Sequence, residues 1–268
     1  MTCIRTECQV TTREFLSQYS VFSLDTAREH LPGDTRQRIQ HAVETAKATM
    51  LRRGLYAAVP PGSAPDQVEP DRYLVLSQAR PDVVIAGHSA LELLGLGHSE
   101  WLVCSAYSSR RRTKFSVRSV EYSVVVPPAP LVMAELCDLG VATSTRGGLK
   151  VRHLGVERCL VDGFDRPRLF GGVVELVRSL DGARLLDLNL LERILTAFDS
   201  RTLYGAVGWF LERNQQELFV PATFLGELAK QRPVSPHYLD REPGNAVLAN
   251  RWNVLVPREL VRGESGDA

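Results

Sequence analysis

In the first 62 residues, apolar side chains recur at helical spacing in three short blocks, each opened by a residue able to cap a helix. Thr11, with Glu14 three residues on, has capping-box spacing and predicts a helix to about Tyr19. Ser23 caps a second helix to about His30 that presents Leu24, Ala27 and Leu31 on one side, and Pro32-Gly33 then turns the chain. A third helix opens at Asp34, with Gln37 at the capping-box position. Ile39, Val43, Ala46 and Met50 follow at steps of four, three and four, which extends the expected helix to about Met50. Its opposite face carries Gln37, Arg38, His41 and Thr45, flanked by Arg36 and Gln40. Arg52-Arg53-Gly54 then leads into the alternating run Leu55–Val59, the strand that a wing requires.

Both periodicities fail between Val59 and Asp71, where Pro60, Pro61, Pro65 and Pro70 accompany Gly62 and Ser63. The expected organisation is a winged helix-turn-helix domain over 1–62, a proline-rich linker over 63–71 and a mixed domain over 72–268. In the larger part, helices are predicted over 72–79, 90–96 (with Ser89 and Glu92 as a capping box), 131–139, 156–164, 172–180, 187–197, 202–213 and 222–230. Strands are predicted over 83–86, 101–107, 115–117, 121–126 and 252–256, and a frayed polar tail over 262–268. The fold class is therefore mixed α/β, of the α+β kind.

Across 268 residues, 32 Lys and Arg face 31 Asp and Glu, so no global positive field draws the chain to nucleic acid or membrane and any basic patch is local. The five cysteines, at 3, 8, 104, 137 and 159, form no C-x-x-C pair, which suits free thiols in a reducing cytoplasm. Residues 1–15 are too charged for a secretory core, and the greasy stretch 124–134 is too short and too proline-rich to span a membrane. A cytoplasmic protein without a membrane partner is expected.

A helix fits the major groove, where Arg and Gln make bidentate contacts to guanine and adenine edges. The third helix therefore reads as a recognition helix on double-stranded DNA, with Arg52 and Arg53 on phosphates. A plain solvated face, or a surface that docks a protein instead of DNA, has the same composition. A second basic run, Arg110, Arg111, Arg112 and Lys114 with Arg118 beyond, would extend the footprint, meet an acidic partner or form a solvated hairpin loop.

Signatures of catalysis are weak. Gly87-His88-Ser89-Ala90-Leu91 begins like a nucleophile elbow but lacks the final glycine. The six histidines make no metal-ligand pair, and Gly147-Gly148 reads as a turn, not a phosphate cradle. Asp162 and Asp165 lie beside Arg166 and Arg168, which points to salt bridges ahead of magnesium, and no Asp…Glu-x-Lys nuclease set is found. No catalytic residue, metal or cofactor is expected.

The order of blocks resembles the AbiEi-type antitoxins of the AbiE toxin–antitoxin system. The likeness rests on Arg53-Gly54-Leu55-Tyr56-Ala57, on the run from His88 to Leu96, on the run from Val156 to Asp162, and on Asp165-Arg166-Pro167 with Gly171-Gly172. It covers nearly the whole chain. The resemblance implies an N-terminal winged helix-turn-helix followed by an antitoxin domain, repression of its own operon through operator repeats, and a cognate nucleotidyltransferase-like toxin as partner. It implies no catalysis by this chain.

Overall fold

The computed structural model describes residues 10–110, 112–240 and 245–261. It is a mixed α+β protein that divides into two compact units. Among the described residues, the N-terminal unit gathers 10–83 with two later segments, 114–122 and 143–152; the larger unit holds the others.

In the N-terminal unit, α1 (Thr12–Gln18) starts at the expected capping box: the Glu14 amide donates to Thr11 Oγ1 at 3.2 Å and the Thr11 amide to Glu14 Oε2 at 2.8 Å. A short strand β1 (Val21–Ser23) follows, and Ser23 caps α2 (Leu24–His30) by accepting from the Thr26 amide. Helix α3 (Thr35–Glu44) is capped by Asp34, which accepts from the Gln37 amide at 3.0 Å. Strands β2 (Ala48–Arg52) and β3 (Leu55–Ala58) then form a hairpin turning at Arg53-Gly54. Strand β1 pairs antiparallel on the far side of β3, so the sheet order is β1-β3-β2.

Helix α3 is shorter than the spacing suggests. Ala46 takes a left-handed backbone (φ 53°), which ends the helix, and Ala48 to Met50 belong to β2, whose burial alternates. Met50 is 58% exposed and is no part of the helix face; that face is Thr35, Ile39 and Ala42. Ile39 packs into a small aromatic core of Phe15, Tyr19 and Phe22 with Ala27 and Leu31. The Phe15 and Phe22 rings meet edge to face at 4.9 Å.

Residues 63–71 contain a 3₁₀ turn (Pro65–Gln67) and end at Asp71, which caps α4 (Arg72–Ala79) through the Tyr73 and Leu74 amides. Helix α4 packs on β1: Gln78 Oε1 accepts from the Ser23 amide at 3.1 Å and from the Thr26 hydroxyl at 2.6 Å.

The larger unit begins with β4 (Val84–Ile85), α5 (His88–Leu93) and β5 (Val103–Tyr107), followed by the hairpin β6 (Thr113–Val117) and β7 (Val120–Val125). Next come α6 (Ala129–Met133) and a second hairpin, β8 (Val141–Arg146) and β9 (Leu149–Leu154). The outer ends of both hairpins are the segments counted with the N-terminal unit. These strands form one sheet in the order β6-β7-β5-β4-β9-β8, with β4 antiparallel to β5 and parallel to β9. Gly147 and Gly148 make the β8–β9 turn, both at positive φ (50° and 75°), the conformation that two-residue hairpins favour. Neither β8 nor β9 was expected from sequence.

Five helices complete the core: α7 (Val156–Asp165), α8 (Val173–Leu180), α9 (Leu188–Phe198), α10 (Arg201–Arg213) and α11 (Ala222–Lys230). A small sheet of β10 (His237–Tyr238), β11 (Ala246–Ala249) and β12 (Val254–Pro257) follows, with β12 in the middle. The expected helix over 131–139 shrinks to α6, and Ser89 caps nothing. Gly87 precedes α5, while the Ser89 hydroxyl donates to Val103 O (3.3 Å) and accepts from the Ser105 amide (3.0 Å), tying the helix to β5. Among the described residues, no helix is long and apolar enough to cross a membrane.

Gly208 of α10 lies against the indole of Trp252, which is wholly buried. Alanine normally stabilises a helix interior by about 1 kcal/mol over glycine. Here a β-carbon would overlap the indole ring, so Gly208→Ala should instead destabilise by about 1–3 kcal/mol in chemical denaturation.

Candidate nucleic-acid interface

Because Thr35, Ile39 and Ala42 face inward, the helical period turns Arg36, Gln37, Gln40 and His41 to solvent, and all four are exposed. Arg38 is half-buried: its Nη1 donates to the Pro32 carbonyl at 2.8 Å, which folds the guanidinium back over the turn before the helix. Gln40 donates from its amide nitrogen to Glu44 one turn on, at 3.0 Å. Thr45 is exposed as well, with its hydroxyl donating back to His41 O at 2.8 Å at the helix end. Of the outward set, Arg36 and Gln37 lie in the first helical turn, the end that reaches base edges when a helix enters the major groove.

On the β2–β3 hairpin, Arg53 is exposed at the turn. Arg52 is also exposed, and its guanidinium carbon lies over the Phe115 ring, 4.4 Å from the centroid. Phe115 in turn stacks on Tyr122 across the β6–β7 hairpin (4.7 Å, 9°). Nothing in the sequence near either residue signals this pairing. Arg146 of the β8–β9 hairpin also belongs to the N-terminal unit, where it pairs with Asp71 and lies over Tyr73.

The second basic run is divided between the units. Arg110 and Arg112 are exposed and belong to the larger one, whereas Lys114 belongs to the N-terminal one and pairs with Glu121 at 3.1 Å. Arg111, together with Cys3, Cys8 and the tail 262–268, lies outside the described residues.

The other chemical candidates resolve into internal bonds. Asp162 pairs with Arg158 at 2.6 Å, both side chains wholly buried, and Arg158 also donates to Leu139 O at 2.8 Å. Burial pushes the Asp162 carboxyl up, a shift the neighbouring guanidinium only partly offsets, and burial likewise raises the Tyr107 phenol. Arg166 donates to Val126 O and Pro127 O and lies 3.4 Å from Asp165, while Arg168 is exposed. His88 is buried, stacked on Trp101, with Nε2 3.0 Å from Glu175 Oε1. Among the described residues, no three His, Cys, Asp or Glu side chains come together as a metal cluster.

No family model and no curated protein matches the chain. Among solved structures, it is similar to the crystal structure of the RV2827C protein from Mycobacterium tuberculosis, with a TM-score of 0.56 at 19% sequence identity over 88% of this chain and 86% of that one. At that identity the two share a fold, and a fold does not specify a function.

Two predictions follow from these geometries. Asp34→Ala removes the cap on α3 and should cost about 1 kcal/mol, read as a lower midpoint in urea. Burial acts to raise the Glu175 carboxyl, but hydrogen bonds from the Ser99 hydroxyl and amide, together with His88, outweigh it and hold the group below its ordinary range. A depressed carboxyl stabilises the fold above its unfolded value and loses that contribution as pH falls through its folded value. Stability plotted against pH should therefore fall less steeply on the acid side in Glu175→Gln than in the wild type.

Proposed function

We propose that this chain is a cytoplasmic DNA-binding repressor of its own operon and the antitoxin for a nucleotidyltransferase-like toxin. On this reading the N-terminal unit is a winged helix-turn-helix, α3 is its recognition helix and the β2–β3 hairpin is its wing. The observation that carries the DNA half is the outward set Arg36, Gln37, Gln40 and His41 on a helix seated by Ile39, with Arg52 and Arg53 on the adjoining hairpin. Amide and guanidinium tips suit base edges, and hairpin arginines suit phosphates. Arg38 would leave the Pro32 carbonyl on reaching a base, exchanging one hydrogen bond for a bidentate pair. The antitoxin half is supported by the order of sequence blocks that resembles AbiEi-type proteins.

A mobility-shift titration with the chain's own upstream DNA and an unrelated duplex of equal length tests the DNA half. Arg38→Ala should narrow the preference for the upstream DNA by about 1–3 kcal/mol. Arg53→Ala should weaken binding to both duplexes alike and lower the salt slope by about one. Identical behaviour of the two variants, or no shift by the wild type at low salt, would remove the assignment. Co-expression with the neighbouring reading frame tests the antitoxin half: this chain should relieve a growth arrest that the neighbour causes.

A further inference from the structure

Residues 1–83 carry ten Lys or Arg against ten Asp or Glu, so the segment holding the proposed recognition helix has no net formal charge. The two hairpin segments that complete the unit change this. Residues 114–122 and 143–152 bring five basic side chains (Lys114, Arg118, Arg146, Lys150 and Arg152) against the single acid Glu121. Lys114 and Arg146 close ion pairs with Glu121 and Asp71. Arg118 does not: it stands exposed at the β6–β7 turn in a left-handed backbone (φ 54°), with Nη2 on the Pro65 carbonyl at 2.9 Å. Its charge is oriented by a neutral acceptor and left unneutralised.

The same hairpin supplies Phe115, the ring under Arg52. A guanidinium lying on an aromatic face keeps its in-plane N–H groups free while the stack limits its rotamers, so a phosphate that engages it meets a donor already in place. Tyr122, wholly buried, stacks on Phe115 and holds the ring in place. An open groove of about 430 Å³ runs between Thr49–Leu51 of the proposed wing and Ser116–Arg118 of the hairpin turn. Asp66 lines it too, so an anion is better placed on the arginine rims than inside.

We propose that the β6–β7 hairpin tip is a second DNA-backbone contact surface, in which Phe115 positions Arg52 and Arg118 supplies a further phosphate contact. This rests on the DNA-binding reading above and adds to it a surface outside the first 83 residues. Such contacts add affinity without sequence preference and make binding salt-dependent.

The full-length protein is titrated, over a series of KCl concentrations, with the upstream duplex and the unrelated duplex. Arg118→Asn keeps a residue suited to the left-handed turn and removes the charge. It should weaken both complexes alike and lower the salt slope by about one. Phe115→Leu should weaken both by about two- to fivefold, the worth of a cation–π contact, whereas Phe115→Tyr, which keeps the ring, should bind as the wild type does. The double variant Arg52→Ala with Phe115→Leu should bind no more weakly than Arg52→Ala alone, because the ring acts only through that arginine. Additive losses would overturn the positioning role of Phe115, and a wild-type affinity and slope in Arg118→Asn would overturn the second contact. Should Phe115→Leu fail to fold, Arg118→Asn decides for the surface. A wild type that shifts neither duplex at low salt would sink the DNA reading and this inference together; a wild type that binds while Arg118→Asn and Phe115→Leu change nothing would sink this inference only.

Discussion

The N-terminal unit depends on the seating of a ten-residue helix on a few aromatic rings. A helix of that length is marginal in water on its own, so its existence and its rotation both come from tertiary contact. Ile39 supplies that contact by packing with Phe15, Tyr19 and Phe22, and Thr35 and Ala42 fall on the same stripe. Once the stripe is set, the period leaves no choice about Arg36, Gln37, Gln40 and His41, which must face water or whatever replaces it. The capping network at Thr11, Ser23 and Asp34 fixes where each helix begins, so the rings are delivered to a common centre.

Arginine is used in more than one way across the two units. In the larger one, Arg158 is wholly buried against Asp162, and its cost of desolvation is offset by a short ion pair and by main-chain carbonyls. That arrangement fixes α7 (Val156–Asp165) within its own core but presents no charge to a partner. In the N-terminal unit, Arg52 and Arg118 are held by a ring and by a carbonyl oxygen, which orient a guanidinium without neutralising it. The side chain is the same; the group beside it decides whether its charge is consumed in packing or left outward.

Much of this was legible in the sequence, for local reasons. Side-chain caps lie within three residues of the amides they serve, so the starts of α1, α2 and α3 could be read from Thr11, Ser23 and Asp34. Strongly amphipathic helices such as α8 and α9 were equally clear from their stripes. The errors arose where a distant partner decides. Ala46 and Met50 continue a helical spacing, yet a left-handed turn and pairing with β3 convert that stretch into strand. Ser89 looks like a cap, but its partners are Val103 and Ser105 on the neighbouring strand. The β8–β9 hairpin was missed because Thr143, Thr145, Lys150 and Arg152 dilute its apolar alternation, leaving only the Gly147-Gly148 turn to see. The stacking of Phe115 under Arg52 joins two segments far apart in the chain, and no local pattern encodes it.

The membership of the N-terminal unit bears on how the molecule is made. Its first 83 residues leave the ribosome well before 114–122, and these before 143–152. Tyr56 and Leu149, which both pack against the small aromatic core, are therefore synthesised at opposite ends of that interval. Closure of the unit must await the later hairpins. A nascent or truncated chain that stops short of them presents an unfinished surface, and such a surface is what chaperones and proteases recognise.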